Sequence, residues 1–302
     1  MKIGIIKALY YYEYGDLWTY FLTNLGHDCV FSEHNGNSSY LCGDEACLPI
    51  KMYHSHAQSL ISSGADFIFS PKIIKCGKSS FTCPKVIGVN EMLQASLKPV
   101  IPLISPEFTG DFKSFFANTG LLLNENAVNI KSALNKTLLY NDRKVVFNSV
   151  SKAKNDDNDF QHTVCLLGHK YVVDDKSINM DIKDKLRRLG IRCITSTYFD
   201  NTFLTSAASR ALSVTPFWIT GKQATGLAAA CETKADEIDG YIYLSAFGCG
   251  PDSFIVPLTK KYVGILSGKP FMEISLDEHT AATGLDTRLE AFIDMIKDRV
   301  TV

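Results

Sequence analysis

Short apolar runs alternate with stretches of helical periodicity over the first hundred residues. KIGII (2–6) is an apolar run, and Leu17, Phe21, Leu22 and Leu25 then recur at helical spacing up to a closing Gly26. HDCVFS (27–32) predicts a second strand, and 48–64 predicts a helix with Pro49 near its first turn and Gly64 at its end. A third strand at 65–71, a short helix at 90–97 and a fourth strand at 99–105 continue the alternation. A βαβα rhythm of this kind predicts an α/β fold with a parallel, doubly wound sheet.

Between about 106 and 142 the spacing turns helical, and the polar, aperiodic SKAKNDDNDFQH (151–162) reads as a linker. The rhythm then restarts. Strands are expected at 162–169, 191–196, 239–248 and 270–276, with helices at 178–190, 217–234, 251–268 and 287–300. The expected organisation is an N-terminal α/β lobe over 1–105, a helical connector and linker over 106–160, and a C-terminal α/β lobe over 161–302, the two lobes facing each other. No short-period repeat suggests a solenoid.

Composition narrows the function. The 302 residues are 46% hydrophobic and 21% charged, which excludes disordered, collagen-like and coiled-coil classes. With 31 basic against 32 acidic side chains there is no excess charge to release counterions from a nucleic acid. No apolar run reaches the ~20 residues of a membrane span. The N-terminus meets Gly and charge too early for a signal-peptide core, so a cytoplasmic protein is expected.

Nine cysteines in a reducing compartment are not a disulfide framework, and nine is odd. Cys29, Cys165 and Cys193 lie in β-like runs and Cys231 ends a helical one, which marks these four as core residues. Cys42, Cys47, Cys76, Cys83 and Cys249 keep loop company of Gly, Pro, Asp, Lys and Ser. Ligands of open parallel sheets sit beyond the carboxyl ends of the strands, and three cysteines are expected there. Cys47 precedes a helix whose second residue is Pro49, so the helix dipole should favour its thiolate. Cys83 is followed directly by Pro84. Cys249 stands between two glycines just past the strongest strand of the second half and before Pro251. Three thiolates on such loops suit an iron–sulfur cluster with one iron open, although mononuclear zinc at the same thiolates or scattered loop thiols fit the spacing too.

Other groups carry weaker signals. Asp277, Glu278, His279 and Thr280 follow a strand and could serve acid–base work, or cap the last helix and be solvated. His54 and His56 are two apart on a helix and point to different faces. The tyrosines of LYYYEY (9–14) either line a cleft or pack a surface. Neither a dinucleotide fingerprint nor a phosphate-binding P-loop occurs.

Several stretches together resemble the acyl-CoA dehydratase activase-related family, whose members are related to 2-hydroxyacyl-CoA dehydratase subunits. They are KIGIIKALYYYEYGDLW, DEACLPIKMYHSH, ADFIFSPKI with CPKVIGV, LGHKYVVDDKSINMDIKDKLRRLGI, DGYIYLSAFGCGPDSF and GKPFMEISLDEHTAATGLDTRLEAFIDMI. The resemblance implies two flavodoxin-like lobes with a [4Fe–4S] cluster in the cleft between them, held by Cys47, Cys83 and Cys249. A double-cubane cluster would draw in Cys42 and Cys76. It also implies low-potential electron transfer or radical chemistry on a small or acyl-CoA substrate, with Glu278 and His279 as outside proton-transfer candidates. Electrons would come from a separate ATP-dependent activator, because no ATP-hydrolysing domain is recognised in this chain. The alternative is a non-catalytic binding or electron-carrier protein that serves a partner enzyme.

Overall fold

Strand KIGI, β1 (Lys2–Ile5), is followed by helix α1 (Tyr11–Asn24), strand β2 (Asp28–Phe31) and helix α2 (Leu48–Ser62). Strands β3 (Phe67–Phe69) and β4 (Lys72–Ile73) lead to helices α3 (Pro84–Ile87) and α4 (Val89–Ser96). Strands β5 (Leu103–Ile104) and β6 (Glu107–Phe108) precede helices α5 (Phe112–Leu122) and α6 (Ala127–Ser151). The computed structural model describes residues 1–34, 42–43, 45–77, 79–97, 101–151, 160–233 and 237–300. Most of the expected polar linker, 152–159, lies outside the described residues. The chain divides into two units, Met1–Asp157 and Asn158–Val302.

The first unit pairs its strands in the order β2-β1-β3-β5, all parallel, with Ile3 opposite both Cys29 and Phe67. Numbered within the unit, this order is 2-1-3-4. Ile3, Ile5, Phe69 and Leu60 are fully buried, and the rings of Phe21 and Phe116 meet at 4.6 Å between centroids, which ties α1 to α5. Helix α6 joins them through the stacked Tyr20 and Tyr140. The helical segment after residue 106 thus packs within the first unit. Its α5 starts where Asp111 accepts the backbone N–H groups of Lys113 and Ser114, a side-chain N-cap. A two-stranded pair, β4 with β6, stands beside the main sheet; its two-residue strands are too short to show as a period in the sequence.

The second unit runs β7 (His162–Gly168), the short helices α7 (Lys170–Val173), α8 (Lys176–Asn179) and α9 (Ile182–Arg188), then β8 (Ile191–Ile194). Helices α10 (Asn201–Ala211) and α11 (Ile219–Glu232), strand β9 (Gly240–Ala246), helix α12 (Gly250–Leu266), strand β10 (Phe271–Leu276) and helix α13 (Ala282–Val300) complete it. The sheet order is β10-β9-β7-β8, parallel throughout, which is again 2-1-3-4 within the unit. Every residue of β9 is buried, as a central strand covered on both faces must be. Cys165 and Cys231 are core residues as expected, with Sγ atoms 3.3 Å apart as a thiol–thiol contact and both free. Cys29 and Cys193, expected beside them, are only half-buried because β2 and β8 are edge strands. Among the described residues no helix is long and apolar enough to cross a membrane.

Helix α10 was not expected: its Ser- and Thr-rich sequence has low intrinsic helix propensity. It forms because Asp200 caps it at Thr202 N–H and because it packs closely on α11. The close approach is made at Gly226, where a Cβ would stand 2.0 Å from the Leu204 carbonyl oxygen. Gly264 on α12 faces open space. Gly226→Ala is therefore expected to destabilise the fold by about 1–3 kcal/mol through overpacking, and Gly264→Ala to stabilise it by about 0.5–1 kcal/mol. Urea unfolding of the two variants checks the contrast, and equal effects would refute the packing argument.

Candidate functional site

In a 2-1-3-4 sheet, the connections from strands one and three leave in opposite directions, so their carboxyl ends open a crevice. In the first unit the residues beyond these ends are the Leu9–Tyr14 run after β1 and the loop through Cys76 and Cys83 after β3 and β4. In the second unit they are Gly168 and His169 after β7, and Gly248 and Cys249 after β9. Cys83 and Cys249 hold equivalent places: each is the N-cap of the helix that follows the third strand of its own sheet.

All three cysteines singled out in the sequence occupy helix N-caps. Cys47 caps α2 with φ −69° and ψ 155°, Cys83 caps α3 with φ −74° and ψ 154°, and Cys249 caps α12 with φ −79° and ψ 108°. Each is extended backbone, and each is followed by a proline within two residues: Pro49, Pro84 and Pro251. Proline suits the first helical turn because its missing N–H would have had no intrahelical partner. The Ile50 N–H near Cys47 Sγ, and those of Val86 and Lys85 near Cys83 Sγ, favour the charged sulfur without closing a side-chain cap hydrogen bond.

The structure brings Cys47 and Cys83 near enough that a charge on Cys83 raises the Cys47 pKa. Burial is the larger effect and lifts Cys47 to about 11, against the lowering exerted by the nearby Ile50 N–H and by Lys85. The expectation that the helix dipole would favour a Cys47 thiolate is thus corrected: burial outweighs it. Cys83 is also raised, first by burial. Cys76 is pushed up to about 12 by burial, although the Tyr14 hydroxyl donates to its sulfur. Tyr10 and Tyr14 are held well above the usual phenol range, chiefly by burial and then by Cys76. The tyrosine run therefore lines the thiol region of the first unit. Cys42 is half-buried. Cys249 belongs to the second unit.

Around Cys249 the sequence concealed a polar cluster. His169 Nε2 lies 2.9 Å from Asp252 Oδ1, and both residues are only 2% exposed. The pair is close, yet the imidazole N–H direction misses hydrogen-bond alignment, and Nε2 and Asp252 Oδ2 make no hydrogen bond. Tyr243 donates its hydroxyl to Asp252 Oδ1 at 2.9 Å, and Tyr171 hydroxyl meets His169 Nδ1. Burial would raise the Asp252 carboxyl, but the His169 charge and contact with His169, Tyr243 and Cys249 together hold it below the usual carboxylate range. Cys249 and Asp252 line an open groove of about 310 Å³ with Ser245 and Glu273. The signals for His169 and Asp252 were present: a Gly-His at the end of a strand, and an acid one helical turn beyond Cys249.

Asp277, His279 and Thr280 form a turn of their own after β10. Asp277 Oδ1 accepts from the His279 N–H and the Thr280 hydroxyl, closing a local turn, and His279 is exposed.

A family model described as CoA enzyme activase uncharacterised domain (DUF2229) matches residues 2–199. The chain belongs to that family. The match takes in the first unit and the second as far as residue 199, and Cys249 and Asp252 lie beyond it. No curated protein matches the chain. Among solved structures, the SBP FpvC from Pseudomonas aeruginosa in complex with Mn2+ is 14% identical, with 98% of this chain and 99% of that chain covered and a TM-score of 0.29. ZnuA is 11% identical, with 98% of each covered and a TM-score of 0.27. A carbohydrate transporter from Acidothermus cellulolyticus in complex with myo-inositol is 11% identical, with 91% and 73% covered and a TM-score of 0.22. At these scores the likeness carries no conclusion.

The helix that starts at Cys47 also carries His54 and His56, both buried. His56 Nδ1 bonds Ser32 Oγ at 2.8 Å, and the same hydroxyl accepts the Lys7 N–H, so the residues just beyond β1 and β2 are fastened to α2. Burial, then His34 and Lys7, lower the His56 pKa to about 4. The unfolded chain takes up this proton at about pH 6.5 and the folded chain only near 4, so stability falls as pH drops through that window and levels off below it. The loss attributable to His56 is of the order of 3 kcal/mol. Urea unfolding at pH 7 and pH 5 should show a steep dependence that His56→Asn reduces; identical slopes would remove His56 as the cause.

Proposed function

We propose that this chain is an iron–sulfur protein that holds a [4Fe–4S] cluster through Cys47, Cys83 and Cys249 and leaves one iron open to a small or acyl-CoA ligand. The observation that carries the reading is the N-cap position shared by the three cysteines, each followed by a proline within two residues. The donor set fits the group. Thiols are the usual ligands of such clusters, and N–H bonds to sulfur together with burial are the levers that set their potential. Burial acts on Cys47 and Cys83, and backbone N–H groups close to their sulfurs oppose it. When bound, the cluster would supply one-electron, low-potential transfer of the kind used by the 2-hydroxyacyl-CoA dehydratase subunits that the sequence resembles.

The chain's own residues would prepare the ligands. The prolines remove an N–H that would otherwise need a partner, and the helix N-termini present positive dipole ends to sulfurs that become negative on metal binding. Tyr10 and Tyr14 stay neutral and enclose the thiol region of the first unit. Electrons would arrive from a separate ATP-dependent activator. The family description favours a second reading, in which the chain carries electrons for a partner enzyme and does no chemistry itself. Turnover with reductant, activator and 2-hydroxyacyl-CoA candidates separates the two: dehydration above background excludes the carrier.

Anaerobic purification with iron and acid-labile sulfide assays tests the cluster. About four iron and four sulfide per chain are expected of one such cluster. Cys83→Ser and Cys249→Ser should each lose most of the iron. Unchanged iron in either variant, or iron-free protein after reconstitution, overturns the assignment.

A further inference from the structure

We infer that the second unit contains a mononuclear site for a divalent ion of the zinc class, made by His169 Nε2, Cys249 Sγ and Asp252 Oδ2. It goes beyond the cluster reading and shares only Cys249 with it, so the two are alternative occupancies of the same thiol. The ligand atoms of the three side chains all lie within 4.8 Å of one another. Ligands at zinc's usual distances of about 2.0–2.3 Å stand ~3.5 Å apart in a tetrahedron, a spacing inside the limit within which these atoms lie.

Two buried atoms of the cluster point to a cation. Asp252 and His169 are each 2% exposed, yet Asp252 Oδ2 has no hydrogen bond, and His169 Nε2 has only its 2.9 Å approach to Asp252 Oδ1, out of hydrogen-bond alignment. Buried polar atoms without partners are costly and call for an explanation. An ion would take a lone pair of Oδ2, which has no hydrogen bond, and would draw the imidazole lone pair away from its misaligned approach to Oδ1. The surrounding groups already have the form of a metal site's outer contacts. Tyr171 engages His169 Nδ1, which leaves Nε2 for the ion, and Tyr243 takes Asp252 Oδ1, which leaves Oδ2. The mixed nitrogen, sulfur and oxygen donors select against calcium and magnesium, which take oxygen, and suit zinc or cobalt.

Three protein ligands leave a fourth position, as in catalytic rather than structural zinc sites. Cys249 and Asp252 open onto the groove shared with Ser245 and Glu273, through which water or a small anionic ligand reaches that position. The chemical class that fits is a carboxylate, thiol or water oxygen able to bind a divalent ion.

The test uses the full metal-free chain with zinc and cobalt chloride as probes. One zinc per chain is expected, and cobalt should give a thiolate charge-transfer band in the near ultraviolet. His169→Gln and Asp252→Asn should weaken zinc binding at least about 100-fold, more than the 10–100-fold typical of an outer contact, where Tyr171→Phe should fall. Cys47→Ser with Cys83→Ser should leave zinc affinity unchanged while abolishing the iron of the cluster, and His169→Gln should leave the iron content intact. The two readings therefore fail separately. X-ray absorption on the zinc-loaded unsubstituted chain gives a readout that no variant's folding can spoil: one sulfur with nitrogen and oxygen neighbours is expected. Two or more sulfurs, or zinc affinity unchanged in both His169→Gln and Asp252→Asn, overturns the site.

Discussion

Parallel pairing of the first and third strands, with the second strand outside the first, governs what each unit can do. In β1 and β3, as in β7 and β9, the two strands run side by side in register, yet the chain leaves each toward a different edge of the sheet. The carboxyl end of the pair is thus the place where the two connections part. The residues placed there are fixed in position by the most buried strands of the unit. Tyr10 and Cys83 occupy this point in the first unit, and His169 and Cys249 occupy it in the second. The sheet order thus turns four residues far apart in sequence into two local pairs, and the Coulomb coupling of Tyr10 to Cys83 reflects the first of them.

Placing polar groups at the buried end of a sheet has a cost that the side chains must offset. A carboxylate as enclosed as Asp252 would be driven to neutrality if it stood alone. His169 and the Tyr243 hydroxyl supply the compensation, and Tyr243 does so from the middle of the core strand β9. Core and site therefore share a residue, and the position of Tyr243 is set by its ring packing while its hydroxyl serves the carboxylate. Partial compensation of this kind leaves one carboxylate oxygen without a hydrogen bond, and the imidazole nitrogen that faces the other out of hydrogen-bond alignment. A fold assembled for stability alone would close or discard them.

The α/β rhythm was legible because parallel strands and amphipathic helices differ in period, and the seven-residue core strands β7 and β9 carried it most clearly. The cysteines of the loops were legible through their company of glycine and proline, since Cys47, Cys83 and Cys249 all stand where a helix begins. What escaped the sequence had no period to show. Helix α10 owes its existence to a cap and to the Gly226–Leu204 contact, both tertiary in effect. The pair β4 and β6 is too short to alternate. His169 and Asp252 are separated by more than eighty positions, and only the crossover from β7 through β8 to β9 brings them together.

The two units prepare their thiols differently. In the first, burial keeps Cys47 and Cys76 protonated, with pKa values near 11 and 12, so any cation bound there has to displace protons from neutral thiols. In the second, Asp252 is held below the usual carboxylate range and is ionised beside Cys249 before any ion arrives. A cation meets preformed negative charge in the second unit and only latent charge in the first. The difference follows from what stands beside each sulfur: neutral, deeply buried tyrosines at one crevice, and a histidine–carboxylate pair at the other.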